Sequence, residues 1–257
     1  MNRHLGLLAT LFFLLPILLP LLVLSCGRTG QTVIGRDYRI VVPALPDGEL
    51  LSYRILATGQ PVGTMILLTR RVQFLETPVF EVTNVTRTLA GKVERCDSAV
   101  VFLSRDSLTP IASFRFSWVG NAFTTTSARY QPGSVGVATY IEQQQQQIQR
   151  PLPFGPGYYD VDELLTLGRA LQIAPQKVVE LAIVIPMSTP LGGAVTKARF
   201  TPGIDQTVTV PAGTFDCTKL NIEMAEAGAE LWYEKTGTHR LVKYQTSDTV
   251  LSMELIP

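Results

Sequence analysis

The sequence has few of the residues on which catalytic and metal sites most often depend. Its 257 residues include two histidines, His4 and His239, and three cysteines. Because His4 lies in a leader that we expect to be removed, the remaining chain cannot form a two-histidine zinc site. A Ser-His-Asp triad would have to use His239, which lies in a predicted turn before a strand. We therefore expect no catalytic residues, no metal and no cofactor, and a hydrolase using His239 is the least favoured alternative.

The sequence also lacks an excess of charge of either sign. It has 22 basic and 21 acidic residues, and removing residues 1–25 removes only Arg3 among them, which makes the two numbers equal. Proteins that bind nucleic acid usually carry a basic patch or stripe. The sequence also contains no G-x-S-x-G nucleophile elbow and no Walker phosphate loop. These absences argue against nucleic-acid binding, nucleotide binding and α/β-hydrolase chemistry.

The longest apolar run lies at the N-terminus. Met1–His4 carries a basic residue, and Leu5–Leu24 is almost entirely apolar. This order is typical of the charged and apolar regions of a secretory signal peptide. An uncleaved membrane-spanning helix is the alternative, since about 20 apolar residues suffice to cross a bilayer. Pro16 and Pro20 argue against that alternative, because proline interrupts a helix.

The end of this run, Val23-Leu24-Ser25-Cys26, resembles the lipobox of bacterial lipoproteins. In that family the cysteine thiol receives a diacylglyceryl group, the chain is cut before the cysteine, and the new amine is acylated. The resemblance implies a cell-envelope protein that is held on a membrane by lipid on Cys26. Gly27 and Arg28 follow it, and the absence of an adjacent Asp implies the outer membrane, facing the periplasm. We predict a signal peptide at 1–25, a lipidated N-terminus and tether at 26–46, and a β-rich domain at 47–257.

Two further cysteines, Cys96 and Cys217, remain in the predicted mature chain. An exported protein is in a compartment where a disulfide can form between them. Such a bridge would close a loop of about 120 residues and stabilise the fold by roughly 4–5 kcal/mol. Two separate buried thiols are the alternative, because the sequence does not give the distance between the two cysteines.

Strand patterns dominate the rest of the chain. Short segments of apolar and β-branched residues, several of them alternating with polar residues, are separated by Gly, Pro and Asp. This spacing is typical of an antiparallel meander. The glutamine-rich segment 142–147 predicts a solvated excursion. We predict strands at Tyr38–Val42, Leu50–Ala57, Val62–Arg70, Val79–Arg87, Ser98–Leu103, Ile111–Trp118, Ala122–Tyr130, Val135–Ile141, Val178–Ile185, Val195–Phe200, Thr207–Val210, Thr214–Met224, Ala229–Glu234, His239–Gln245 and Val250–Leu255.

One helix is predicted, at Val161–Gln172. Asp160 is suited to be its N-cap, and Glu163 stands at the position that completes a capping box. Pro175 is expected to end the helix. The acidic cluster of Asp160, Asp162 and Glu163 also suggests a glycosidase pair, but helix capping explains it more simply.

Several segments together resemble the bacterial family of domain of unknown function number 3108. The most specific is Val210-Pro211-Ala212-Gly213-Thr214-Phe215, followed about 17 residues later by Leu231-Trp232-Tyr233. The resemblance implies a mainly β fold: an antiparallel, strongly curved sheet or incomplete barrel with one helix packed against it. It implies no activity. The other matching segments are Glu49–Tyr53 with Gly59 and Val62-Gly63, Ser104–Pro110, Asp162–Arg169 and His239–Tyr244.

A curved sheet with a helix against it predicts a cleft for an apolar or amphiphilic ligand, such as a lipid or glycan. Arg169 is a candidate contact for an anionic group, with a salt bridge to a strand as the alternative. Trp232 is a second candidate contact, with core packing as its alternative. A structural or assembly module that binds another envelope protein through a sheet edge is the alternative function.

Overall fold

The computed structural model describes residues 33–34, 37–42, 45–90, 93–155, 157–187, 193–225 and 227–257. Strands make up most of this part of the chain, as the sequence predicts. The strands are β1 Val33–Ile34, β2 Tyr38–Ile40, β3 Glu49–Ala57, β4 Gln60–Phe74, β5 Thr77–Ala90, β6 Val93–Ser104, β7 Pro110–Val119, β8 Ala122–Gln131, β9 Ser134–Ile141, β10 Gln146–Pro153, β11 Tyr158–Asp160, β12 Leu171–Ile173, β13 Val179–Ile185, β14 Ala194–Pro202, β15 Gln206–Val210, β16 Gly213–Met224, β17 Ala227–Glu234, β18 Leu241–Thr246 and β19 Leu251–Ile256.

Sixteen of these strands form one large sheet. Its order is β10-β9-β8-β7-β6-β5-β4-β3-β19-β18-β17-β16-β14-β13-β11, with β15 paired to β16 outside this path. Every pair is antiparallel except β11 with β13. The remaining three strands form a small sheet in the order β1-β2-β12. The predicted antiparallel sheet is therefore confirmed.

Along the strands, alternate residues point to the inside and outside of the curved sheet. In β3, Leu51, Tyr53 and Ile55 are buried. Leu50, just before Leu51, is 60% exposed, and Arg54, between Tyr53 and Ile55, is exposed as well. Because strand side chains alternate between the two faces, one face of each strand can enter the core while the other meets solvent. The alternation seen in the sequence therefore corresponds to the inner and outer faces of the sheet.

The sheet curls without closing through hydrogen bonds, so the fold is an incomplete barrel. β10 and β11 are the terminal strands of the path. Near the opening between β10 and β11, Tyr130 of β8 and Val135 of β9 share a buried apolar cluster with Val184 of β13. The ring of Tyr130 also stacks on that of Tyr158 in β11, with centroids 5.7 Å apart. Side-chain packing thus joins regions of the sheet that no backbone ladder connects.

The hairpin β15–β16 folds over the end of the barrel where β3 begins and β19 ends. Val208 and Val210 of β15 belong to the main core. In the connecting turn, the Ala212 amide donates to the carbonyl of Leu255 at 3.1 Å. Gly213 has φ of 139°, which side-chain-bearing residues rarely adopt. The Pro-Ala-Gly-Thr-Phe motif therefore makes the turn that covers this end of the barrel.

The predicted helix is shorter than expected. A 3₁₀ turn covers Val161–Glu163, and the α-helix covers only Leu164–Ala170. The prediction that Pro175 ends the helix is wrong, because Leu171–Ile173 pairs as β12 with Tyr38–Ile40. This pairing satisfies the backbone groups that a longer helix would have used. No helix in the described residues is long and apolar enough to cross a membrane.

The glutamine-rich segment is only partly an excursion from the sheet. Residues 142–147 are all exposed, as expected. A 3₁₀ turn covers Glu142–Gln144, but Gln146 and Gln147 begin β10 and pair with Ile141 and Tyr140. The backbone pairing with β9 therefore extends the sheet into a segment whose composition predicted a loop.

Candidate ligand cleft

The start of the helix and the inner face of the sheet enclose an apolar cleft of about 400 Å³. Val161, Leu164 and Leu165 form the wall on the helix side. The polar side chains of the segment point away from the cleft, because Asp160 contacts Tyr130 of β8 and Asp162 contacts Arg115 of β7. The sheet side is lined by Ile55, Thr86, Thr88, Ile222, Met224, Ala227, Gly228, Ala229, Leu231, Tyr244, Leu251 and Met253.

Among the residues that the structure describes, no charged side chain lines this cleft. The polar side chains that these residues place around it are those of Thr86, Thr88 and Tyr244. Its volume lies in the range of about 300–1,000 Å³ that is typical of small-molecule sites. The cleft can therefore take an uncharged, largely apolar group.

Three strands hold the helical segment in place through its polar groups. The Tyr130 hydroxyl of β8 donates to Asp160 Oδ2 at 2.5 Å. Arg115 of β7 donates to Asp162 Oδ1 at 3.0 Å. The Asn84 side chain of β5 donates to the Asp162 carbonyl at 2.5 Å. These contacts fix the wall of the cleft against the sheet.

The predicted capping box is confirmed. The Asp162 amide donates to Asp160 Oδ1 at 2.9 Å, and the Asp160 amide donates to Glu163 Oε1 at 2.6 Å. Burial raises the pKa of Asp160 and raises that of Glu163 well above its usual value. Burial, together with the charge of Asp160, raises the pKa of Asp162 to about 7 despite the nearby Arg115. Burial therefore disfavours the charged forms of these three carboxyls, and their geometry is that of a helix cap.

Arg169 makes the salt bridge that was the alternative to ligand contact. Its guanidinium donates to both carboxylate oxygens of Glu49, at 2.6 and 3.2 Å. It also donates to the Thr238 carbonyl at 2.6 Å. The Arg169 side chain has no exposed surface. In this structure Arg169 ties the helix to β3 and to the loop after β17.

Arg169 and His239 line a second groove, of about 380 Å³, at the other end of the helix. Two lysines that line this groove are in ion pairs. Lys219 pairs with Glu230 at 2.6 Å, and Lys235 pairs with Asp205 at 3.0 Å. His239 Nδ1 lies 3.0 Å from the Glu234 carbonyl oxygen. The described hydrogen bonds connect His239 to no hydroxyl or carboxylate, so they form no triad.

Trp232 lies on the outer face of β17 and outside both cavities. It is 4% exposed, and Lys219 Nζ and Lys243 Nζ lie 5.2 and 5.3 Å from its ring centroid. These residues stand opposite Trp232 on the two neighbouring strands. Packing and cation–π contact account for its burial. Ligand contact by Trp232 stays a prediction.

Cys96 and Cys217 are both free, so the possible disulfide is not formed. Cys96 lies in β6 and Cys217 in β16, with six strands between them along the sheet. Cys217 is fully buried in the main core, where burial raises its pKa to about 11. The alternative of two separate thiols describes the structure.

Cys26 lies outside the described residues, so its lipidation stays a prediction. Within the described ranges, no group of three His, Cys, Asp or Glu side chains is arranged to hold a metal.

Sequence reasoning missed most residues that build the cleft and hold its wall. Thr86, Thr88, Asn84, Arg115 and Tyr130 stand in ordinary strand patterns with no motif around them. Their roles depend on strands that meet only in the folded sheet. The capping box was the one local signal that could locate this region.

A family model described as a protein of unknown function, DUF3108, matches residues 51–255. A solved β-barrel-like protein of domain of unknown function DUF1849 from Brucella abortus is 11% identical, with a TM-score of 0.52. That match covers 80% of this chain and 95% of the other, and it shows similarity of fold alone. A Bacteroides fragilis protein with a YmcC-like fold is 10% identical over 82% of this chain and 94% of its own, with a TM-score of 0.28. No curated protein gives a significant sequence match.

Proposed function

The chain belongs to the DUF3108 family of proteins of unknown function, and we propose that it is a non-catalytic envelope lipoprotein that binds an apolar or amphiphilic ligand. The apolar cleft of about 400 Å³ between the helical segment and the sheet carries this proposal. Its lining offers apolar surface and three uncharged polar side chains, which suit a hydrocarbon chain with a small polar group.

The size of the hydrophobic effect supports such a ligand. Each CH₂ group moved from water into an apolar site contributes about 0.8 kcal/mol. A chain of roughly ten carbons would therefore gain about 8 kcal/mol, so micromolar affinity is the upper limit before the costs of ordering are subtracted. A lipid acyl chain or the apolar part of a glycolipid has this chemistry.

The membrane anchor is part of the proposal. Lipid on Cys26 would hold the protein on the outer membrane, facing the periplasm. Seven peptide units separate Cys26 from Val33, where the described chain begins. Fully extended, they span at most about 25 Å. The folded body would therefore stay close to the membrane surface and to its lipids.

Native mass spectrometry of the purified full-length chain tests ligand binding. Thr86→Trp places an indole in the cleft, whereas Thr83→Trp places the same side chain on the outer face of the same strand. We expect a co-purified mass of lipid or glycolipid on the wild type and on Thr83→Trp. It should be absent from Thr86→Trp, because the indole occupies the space of the ligand.

An empty cleft in repeated preparations of the wild type would contradict ligand binding. Equal amounts of bound ligand on the two tryptophan variants would place the ligand elsewhere. Thermal unfolding of both variants checks that Thr86→Trp remains folded.

The assembly alternative depends on an open sheet edge. β10 is a terminal strand and pairs only with β9 in the described fold. It contains Pro151 and Pro153, which have no amide hydrogen to donate to an added strand. Proline on an edge strand opposes pairing with another chain. The cleft therefore supports the ligand-binding function better than this edge supports assembly.

A further inference from the structure

The outer face of β4–β8 carries apolar side chains where an antiparallel sheet usually presents polar ones to water. Strand register places Ile66, Val85 and Phe116 in one row across the sheet, with Ser98 between the last two. The next row contains Trp118 opposite Phe123. We call this surface the aromatic patch, and it consists of Ile66, Val85, Phe114, Phe116, Trp118 and Phe123.

Much of the aromatic patch is open to solvent. Ile66 is 39% exposed, Phe116 is 45% exposed and Trp118 is 57% exposed. Phe123 contacts two of its neighbours, with ring centroids 6.4 Å from Phe116 and 6.0 Å from Trp118. The aromatic rings therefore contact one another along the sheet, but no part of the described fold covers the sides that face away from the sheet.

Arginines flank the aromatic patch on two sides. Arg87 lies in the same row as Trp118, with Cys96 between them. Arg129 lies on β8 beyond Ser127, which stands opposite Phe114. Both arginines are exposed, and neither makes an ion pair with any side chain in the described part of the chain. The patch itself carries no charge, and these two arginines place positive charge beside it.

The size of the aromatic patch disfavours a second copy of the chain as its cover. Strand and residue spacings give it dimensions of roughly 20 Å by 14 Å, on the order of 300 Å². A stable protein interface buries about 800 Å² on each partner. Aromatic side chains with basic neighbours are instead typical of surfaces that enter the lipid headgroup region.

We propose that the aromatic patch lies on an anionic phospholipid surface, with Arg87 and Arg129 at the lipid phosphates. Trp118 and Phe116 enter the boundary between headgroups and acyl chains, where aromatic rings are stabilised. The two arginines add electrostatic attraction to an anionic surface. This contact depends neither on the cleft nor on a ligand in it.

The two tryptophans of the chain allow a direct test. Trp232→Phe leaves Trp118 as the single emitter, and it removes none of the described hydrogen bonds because Trp232 Nε1 has no partner among the described residues. Trp118→Phe leaves the buried Trp232 as the matched control. Both full-length variants are reconstituted in phosphatidylcholine vesicles containing brominated phosphatidylglycerol, whose bromines quench only nearby fluorescence. We expect Trp118 emission to fall by about half because the ring lies among the lipids, and Trp232 emission to stay unchanged.

Charge reversal sharpens this test. Arg87→Glu with Arg129→Glu, made in the Trp232→Phe chain, should restore most of the Trp118 emission. Arg39→Glu with Arg150→Glu changes two exposed arginines outside the aromatic patch, and should leave the quenching in place. Quenching of Trp118 no greater than that of Trp232 would overturn the proposal. A stable dimer that Phe116→Ser dissociates would equally overturn it, by making a second copy the cover of the patch.

Discussion

The helical segment, from its N-cap Asp160 to Ala170, has a polar side whose groups are paired and an apolar side that is left partly uncovered. On the polar side, Asp160 contacts Tyr130, Asp162 contacts Arg115, and Arg169 contacts Glu49. On the apolar side, Leu164 and Leu165 face open space in the cleft. The polar side therefore holds the segment in position, and the apolar side is left free to meet a ligand.

The largest effect is expected from breaking the polar side at Arg169. Arg169→Met would leave the Glu49 carboxylate, which is 9% exposed, without its buried cation. Removing one partner of a buried ion pair costs about 3–5 kcal/mol in the free energy of unfolding. Denaturant unfolding of the full-length chain measures this loss.

Lys197→Met is the control for removing a cation from a salt bridge. Lys197 and its partner Glu180 are 76% and 50% exposed, so the loss there should be below about 1 kcal/mol. If Arg169→Met lost no more stability than Lys197→Met, Arg169 would not be the residue that ties the helix to β3.

A smaller effect, visible in its pH dependence, is expected at Glu163. Burial raises its pKa in the folded state, so the protonated form is the one that the fold accommodates. Its favourable contribution to stability is complete below the unfolded pKa of about 4.3 and is lost as pH rises through the folded pKa. Glu163→Gln imitates the protonated form, so its free energy of unfolding should fall less with rising pH than that of the wild type.

Urea unfolding at several pH values from about 4 to 8 measures this difference. Glu142→Gln removes a carboxylate from an exposed 3₁₀ turn, and its pH dependence should match the wild type. A Glu163→Gln curve parallel to that of the wild type would show that the buried carboxyl does not couple stability to pH.

The sequence could predict features that depend on neighbouring residues. Alternating apolar residues gave most of the strands, and Asp160 with Glu163 gave the capping box. The missed strand β12 forms because Leu171–Ile173 meets Tyr38–Ile40, about 130 residues earlier in the chain. No local pattern reveals such a partner, and the helix was therefore predicted to be too long.

In the candidate site, too, the features that could not be predicted depend on residues that are far apart in the sequence. A salt bridge was foreseen as an alternative for Arg169, but its partner Glu49 lies 120 residues away. The position of the cleft depends on β3, β5 and β16–β19 meeting around the helical segment. A curved sheet with a helix predicts that a cleft exists, whereas its lining follows only from the register of distant strands.

Titration calorimetry with 1-decanol, an uncharged chain of ten carbons with a small polar group, at several temperatures tests ligand binding by the cleft most directly. We expect one saturable site on the full-length chain, with a negative heat-capacity change because apolar surface is buried. Thr83→Trp should bind like the wild type, and Thr86→Trp should lose the site. Identical heats from all three proteins would show that the ligand does not bind in the cleft.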